Sequence, residues 1–261
     1  MQWGPWLLIA AALCLFDNEA AAGASCASKS PGNLQIVLDV GHTVSHPGAV
    51  SARGMREYVF NLKLAQRIKE ELVKAGFSSA FLMVTHQNGT RGLFRRVEYA
   101  NNMNADIFIS IHHDSVADAY LQRWLYEGVE HLYSDRSKGF SLHISSSNKK
   151  YRESVRLAEI LADSLIDKGL EPTTNPELSM PKGAKALEPA RGIYQRHGLA
   201  VLNYTKMTAI LLESGMIVNR DEELAASSED RHKLIAVAIA ESVAKFCNAH
   251  ETLAGKEAER E

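Results

Sequence analysis

Short apolar runs alternate with amphipathic stretches along almost the whole chain, and this alternation restricts the fold more than any other feature. Gln35 to Asp39 is a brief apolar run ending at Gly41, as a strand buried on both faces would read. From Glu57 to Ala75, Phe60, Leu64, Ile68 and Leu72 recur every four positions, and Gly76 closes the stretch. That spacing predicts an amphipathic helix with a glycine stop. Ala80 to Val84 predicts a second strand, Thr90 is placed to cap a helix carrying Leu93, Val97 and Ala100, and Asp106 to Ile111 predicts a third strand. Gly139 to Ile144 reads as another strand, and Val155, Ala158, Leu161, Ala162 and Leu165 mark a helix ending near Gly169. Thr208 to Leu212 is the last core strand, and Leu234, Val237, Ala238 and Val243 line a final helix to Cys247. Strands separated by helices of this length imply a single α/β domain, with a mostly parallel twisted sheet and helices on both faces.

The 261 residues, 46% of them hydrophobic, are enough for one sizeable core. A net charge of −2, with neither half strongly basic, gives nucleic-acid binding no support. Leu7 to Phe16 is an apolar run too short to span a bilayer, followed by the small residues Ala20-Ala21-Ala22 and Gly23-Ala24. We read 1–22 as a secretory signal peptide, although Met1 to Trp6 contains no Lys or Arg. The expectation is a periplasmic or secreted protein, with a mature N-terminal segment over 23–33, one domain over 34–249 and a charged, disordered tail over 250–261. Gly23-Ala24-Ser25 before Cys26 lacks the bulky aliphatic residue of a lipoprotein site, so no lipid anchor is expected. Cys26 and Cys247 would remain after cleavage, either paired across the domain ends or as two unrelated thiols.

Ligands on parallel sheets gather at the carboxyl ends of strands. His42 follows Asp39-Val40-Gly41, His112 follows Ser110-Ile111, and Glu57 follows Met55-Arg56 at a helix start. Two imidazoles and a carboxylate form the ligand set of a catalytic zinc, which keeps a fourth position open for water. Leu211-Leu212-Glu213 ends a further apolar run on a carboxylate, suited to act as general base and then general acid. Each residue alone has a plainer reading: His42 in a turn, His112 in a core, Glu57 favouring the helix macrodipole. Glu213 has the weakest one, because a carboxylate there is costly to bury without a partner. His113 is read as standing behind the ligands, and most other histidines as surface residues. Arg191 and Asn219 are candidates for holding substrate, Asn219 having the alternative of capping a helix that begins at Asp221. Glu171 to Pro189, rich in Pro, Lys and small residues, reads as a loop over the active-site face.

The segments around these residues resemble the zinc-dependent N-acetylmuramoyl-L-alanine amidases of the amidase-3 type. Ile36-Val37-Leu38-Asp39-Val40-Gly41-His42 is similar to the family's first motif, and Glu57-Tyr58-Val59-Phe60-Asn61-Leu62 to the segment opened by its ligand glutamate. Phe108-Ile109-Ser110-Ile111-His112 looks like the second histidine segment, and Ala209 to Gly215 with Val218-Asn219 like the segment of the catalytic glutamate. Val40 and Thr208 stand where the family usually has proline, and Thr43 where glycine is common. The resemblance implies zinc on His42, Glu57 and His112, a zinc-bound water as nucleophile and Glu213 as base and acid. It also implies peptidoglycan or muropeptides as substrate, cut between N-acetylmuramic acid and L-alanine. Zinc hydrolysis of an amide follows from the residues themselves; the particular bond follows only from the resemblance. The alternatives are a zinc peptidase acting on the stem peptide and a catalytically silent wall-binding or regulatory domain, which would have no need of Glu213. A protein activator is left open.

Overall fold

The computed structural model describes residues 29–258 apart from residue 182, with side chains through residue 248. Seven strands form one mixed sheet in the order β2-β1-β3-β9-β6-β8-β7. They are β1 (Ile36–Val40), β2 (Ala80–Met83), β3 (Ile107–Asp114), β6 (Ser141–Ile144), β7 (Lys185–Glu188), β8 (Ile193–Gln195) and β9 (Thr208–Met216). A separate hairpin pairs β4 (Gln122–Tyr126) with β5 (Val129–Tyr133). The helices are α1 (Glu57–Lys74), α2 (Gly89–Asn102), α3 (Tyr151–Asp167), α4 (Ala200–Asn203), α5 (Arg220–Ala226) and α6 (Glu229–Ala258).

Every residue of β1, β6 and β9 is buried, as strands covered on both faces must be. Alternation along the strands divides the core in two. Ile36, Leu38, Ile109, Ile111, Ile210 and Leu212 face α1, α3 and α6, where Leu64, Ile68, Leu161 and Ile239 meet them. Val37, Phe108, Ala209 and Leu211 face the other way and pack with Ala100 of α2 and with Val201 and Leu202 of α4. The four-residue spacing from Phe60 to Leu72 thus does bury one stripe of α1. Its glycine stop also forms: Gly76 takes φ +95, and the Phe77 N–H donates to the Leu72 carbonyl at 2.9 Å.

The sheet is parallel through β2, β1, β3 and β9, but β6 runs antiparallel to β9 and β7 antiparallel to β8. Strands β7 and β8 escape the apolar pattern because one is short and the other is a polar edge strand. The loop expected over Glu171 to Pro189 therefore contains β7, while Leu178 packs against Val116 just beyond β3. The hairpin turns at Glu127 and Gly128, both at positive φ, the geometry that matches the twist of two-residue hairpins. α6 continues to Ala258, past the end that the apolar spacing marks and into the stretch expected to be disordered. Glu, Leu, Ala and Lys in that stretch are good helix formers.

Cys247 is disulfide-bonded and packs against the core. Cys26, whose pairing with Cys247 is one of the two alternatives, and the signal-peptide reading of 1–22 lie outside the described residues. Among the described residues no helix is long and apolar enough to cross a membrane.

Candidate metal centre and active site

Strand register brings the candidate residues to one place. Asp39 pairs with Ser110 across β1 and β3, and His112 pairs with Glu213 across β3 and β9. Side chains two apart share a face, so Asp39, Ser110, His112 and Glu213 stand together on the α2 side of the sheet. His112 and Glu213 lie inside their strands rather than after them, because β3 and β9 extend beyond the apolar runs to Asp114 and Met216.

His42 sits just past β1 with φ +67, a left-handed conformation that costs a non-glycine residue of order 1–3 kcal/mol. A buried arginine holds the turn. Arg96 Nη1 donates to Asp39 Oδ1 and to the Val40 carbonyl, both at 2.6 Å, while Nη2 donates to the His42 carbonyl. The other oxygen of Asp39 accepts from Ser110 Oγ at 2.7 Å, so this buried charge is fully paired.

Glu57 opens α1 and links both imidazoles. Its Oε2 lies 2.9 Å from His42 Nε2 and its Oε1 3.0 Å from His112 Nδ1. The remaining lone pairs accept from the Ala49 N–H at 3.0 Å, from Asn61 Nδ2 at 3.1 Å and from the His113 N–H at 3.3 Å. Burial alone would raise this carboxyl, but His112 and then His42 outweigh it and hold Glu57 below the usual carboxylate range. One ligand atom from each of His42, Glu57 and His112 lies within 4.8 Å of the others.

Two glycines provide the space. A Cβ on Gly41 would fall 2.4 Å from His112 Nε2, and one on Gly48, at φ +76, would fall 2.2 Å from Glu57 Oε2. Two imidazoles and one carboxylate converging in a cradle without side chains fit a zinc with an open coordination position.

His113 points to the opposite side of β3 from His112, and its Nδ1 lies 2.8 Å from Asn61 Oδ1. Asn61 in turn donates to Glu57, so His113 supports the Glu57 carboxylate from behind. Burial lowers His113 to about 3, only partly offset by the nearby Glu57 charge, and the ring is neutral at ordinary pH.

Glu213 is buried, and its Oε2 has no hydrogen-bond partner among the described residues. Burial, with the Asp114 and Glu57 charges, pushes it well above the usual carboxylate range. Asp114 is raised to about 6 by burial, against hydrogen bonds from the Ser115 backbone and Ser179. Glu213 and both histidines open onto a cleft of ≈ 440 Å³ whose lining includes Thr43, Asn88 and Arg196. A larger groove of ≈ 590 Å³ between β2 and α2 includes neither His42 nor His112 nor Glu213, so the candidate residues belong to the smaller cleft.

Arg191 and Asn219 are not part of the cleft lining. Arg191 is held by Asp163 at 2.8 Å and Glu188 at 2.7 Å at the far side of the sheet, which leaves no fork for substrate. Asn219 caps α5, its side-chain oxygen accepting from Asp221 N at 3.0 Å and Glu222 N at 3.1 Å, while its amide donates to the Ser137 carbonyl. His143 and His232 are buried rather than exposed. Sequence reasoning missed Asp39, Asn61, Arg96, Asp114 and Arg196. Asp39 carries the same signal as Glu213, a carboxylate closing an apolar run. Asn61 is a polar residue one turn after Glu57 on the buried face of α1.

Comparison with known proteins fits this geometry. Residues 36–245 match the family model described as N-acetylmuramoyl-L-alanine amidase. The chain is 26% identical over 233 residues to the N-acetylmuramoyl-L-alanine amidase AmiA of Escherichia coli strain K12, covering 84% of this chain and 78% of that one. It is 30% identical over 214 residues to the probable cell wall amidase LytH of Staphylococcus saprophyticus, covering 81% of this chain and 57% of the relative. The fold matches the crystal structure of the N-acetylmuramyl-L-alanine amidase Ami1 from Mycobacterium smegmatis with a TM-score of 0.64 at 19% identity, over 85% of this chain and 100% of that one. With the family model spanning the whole sheet and all four candidate residues, the chain belongs to the amidase-3 family of N-acetylmuramoyl-L-alanine amidases.

Proposed function

We propose that this protein is a zinc amidase that hydrolyses the amide between N-acetylmuramic acid and L-alanine in peptidoglycan. The observation that carries the reading is Glu57 held between His42 and His112, with Glu213, whose Oε2 has no partner among the described residues, in the same cleft. His42, Glu57 and His112 would hold the metal. Zinc bound there would polarise the scissile carbonyl and lower the pKa of a coordinated water to roughly 7.

The chain supplies the rest. Glu57 is ionised and is itself oriented by Asn61 Nδ2 and by the Ala49 and His113 backbone N–H groups. Arg96 and Asp39 fix the turn that presents His42. Glu213 takes a proton from the attacking water and returns it to the departing amine, a role worth about 10²–10⁴-fold. Its raised proton affinity matches the return step, in which the carboxyl acts as an acid. The sequence pattern of 1–22 and the likeness to LytH, named a probable cell wall amidase, support action outside the cytoplasm.

Mass analysis of purified muropeptides after incubation with the enzyme tests the bond. The reading expects a stem peptide with a free L-alanine N-terminus and an intact muramic acid. Cleavage within the stem would make the protein a zinc peptidase, and retention without cleavage would make it a binding domain.

A further inference from the structure

Arg196 is a half-buried cation that lines the cleft and to which the proposed amide chemistry assigns no step. It follows β8 and is among the residues that line the same cavity as His42, His112 and Glu213. Among the described residues no carboxylate lies within salt-bridge distance of it, although its charge reaches Glu213 and Asp114 and lowers both. The contrast is with Arg96, Arg53 and Arg231, each paired directly with a carboxylate. The backbone that presents Arg196 is fixed. Its N–H donates to the Ile144 carbonyl at 2.9 Å, and Asn203 Nδ2 holds the adjacent His197 carbonyl at 2.6 Å. Asn203 is itself anchored by Ser145 Oγ at 2.5 Å. An arginine on a pinned loop that lines a cleft, with no carboxylate paired to it among the described residues, is suited to a planar anion.

We propose that Arg196 is a specificity-determining residue that binds a carboxylate of the substrate's stem peptide. The inference rests on the amidase reading and extends it to substrate choice. An extended peptide advances about 3.3–3.6 Å per residue, so a carboxylate one or two residues beyond the scissile amide stays within a cleft of this size.

The test measures kcat/KM of zinc-loaded enzyme on two muramoyl peptides that differ only at the second stem residue, one with a free carboxylate and one with it amidated. The wild type is expected to prefer the acid. Arg196→Gln should lose that preference by about 10- to 100-fold, mainly through KM on the acid; any change in Glu213 from losing the Arg196 charge acts on both substrates and cancels in the acid-to-amide ratio. Arg196→Lys should keep part of the preference, since it retains charge without the bidentate fork. An unchanged acid-to-amide ratio in Arg196→Gln would overturn the proposal, even if both rates fell. Failure of the wild type to cut either substrate would instead contradict the amidase reading itself.

Discussion

Gly41 and Gly48 show how closely the side chains of the candidate metal centre are packed. Neither carries chemistry, yet a methyl group at either would occupy the space that His112 or Glu57 now fills. Gly41→Ala makes the cleaner test, because Gly48 also needs its left-handed backbone. The variant should fold normally, with an unchanged far-ultraviolet circular dichroism spectrum, but bind zinc about 10–100-fold more weakly, the usual effect of disturbing the groups that orient ligands. A competition titration with a chelator would measure this, and wild-type affinity would show that His112 is freer to move than its packing implies. The four principal residues were readable from sequence because each ends an apolar run or opens a helix. Arg96 was not: it reaches the His42 carbonyl from 54 positions away, and nothing in its local pattern marks it. Arg191 went the other way, an isolated arginine whose two carboxylate partners become visible only in the folded chain.

Among the elements, β1, β3, β9 and α1 were legible because burial on both faces, or along one stripe, imposes a regular apolar period. The exceptions have physical reasons. β8 has only three residues, β7 is an exposed edge, and the hairpin turns on Glu127-Gly128 rather than the stronger Asn-Gly signal. The start of α5 separates structure from function. Asn219→Ala removes a side-chain cap and should cost about 1 kcal/mol of stability, seen as a lower urea midpoint, with KM for muropeptide unchanged. A raised KM at undiminished stability would return Asn219 to the substrate. The same asparagine also ties α5 to the Ser137 carbonyl, so the cap helps set the chain that leaves β9.

For the whole molecule, the buried histidines make stability depend on pH. Burial lowers His143 to about 3 in the folded protein, against about 6.5 for an ordinary histidine. Below about pH 6.5 the unfolded chain therefore binds a proton that the folded chain refuses. The contribution is fully present above that pH and is lost progressively as pH falls toward 3. Asp114, raised to about 6, acts in the opposite sense, because its folded form takes up a proton first. The informative quantity is therefore the stability gap between metal-free wild type and His143→Gln, measured by denaturant unfolding. It should shift in favour of the variant between about pH 7 and about pH 4.5. A gap independent of pH would mean that His143 titrates normally in the fold.

The central claim is that three residues bind zinc while a fourth moves the proton. Zinc content after exhaustive dialysis, measured by elemental analysis on Glu213→Gln and Glu57→Gln beside the wild type, tests it most directly. We expect close to one zinc per chain in the wild type and in Glu213→Gln, the latter with turnover reduced about 10²–10⁴-fold. Glu57→Gln should be depleted, because a neutral amide is a poorer ligand for a dication than the carboxylate that now joins His42 and His112. Zinc loss in Glu213→Gln, or full zinc in Glu57→Gln, would contradict the division of roles.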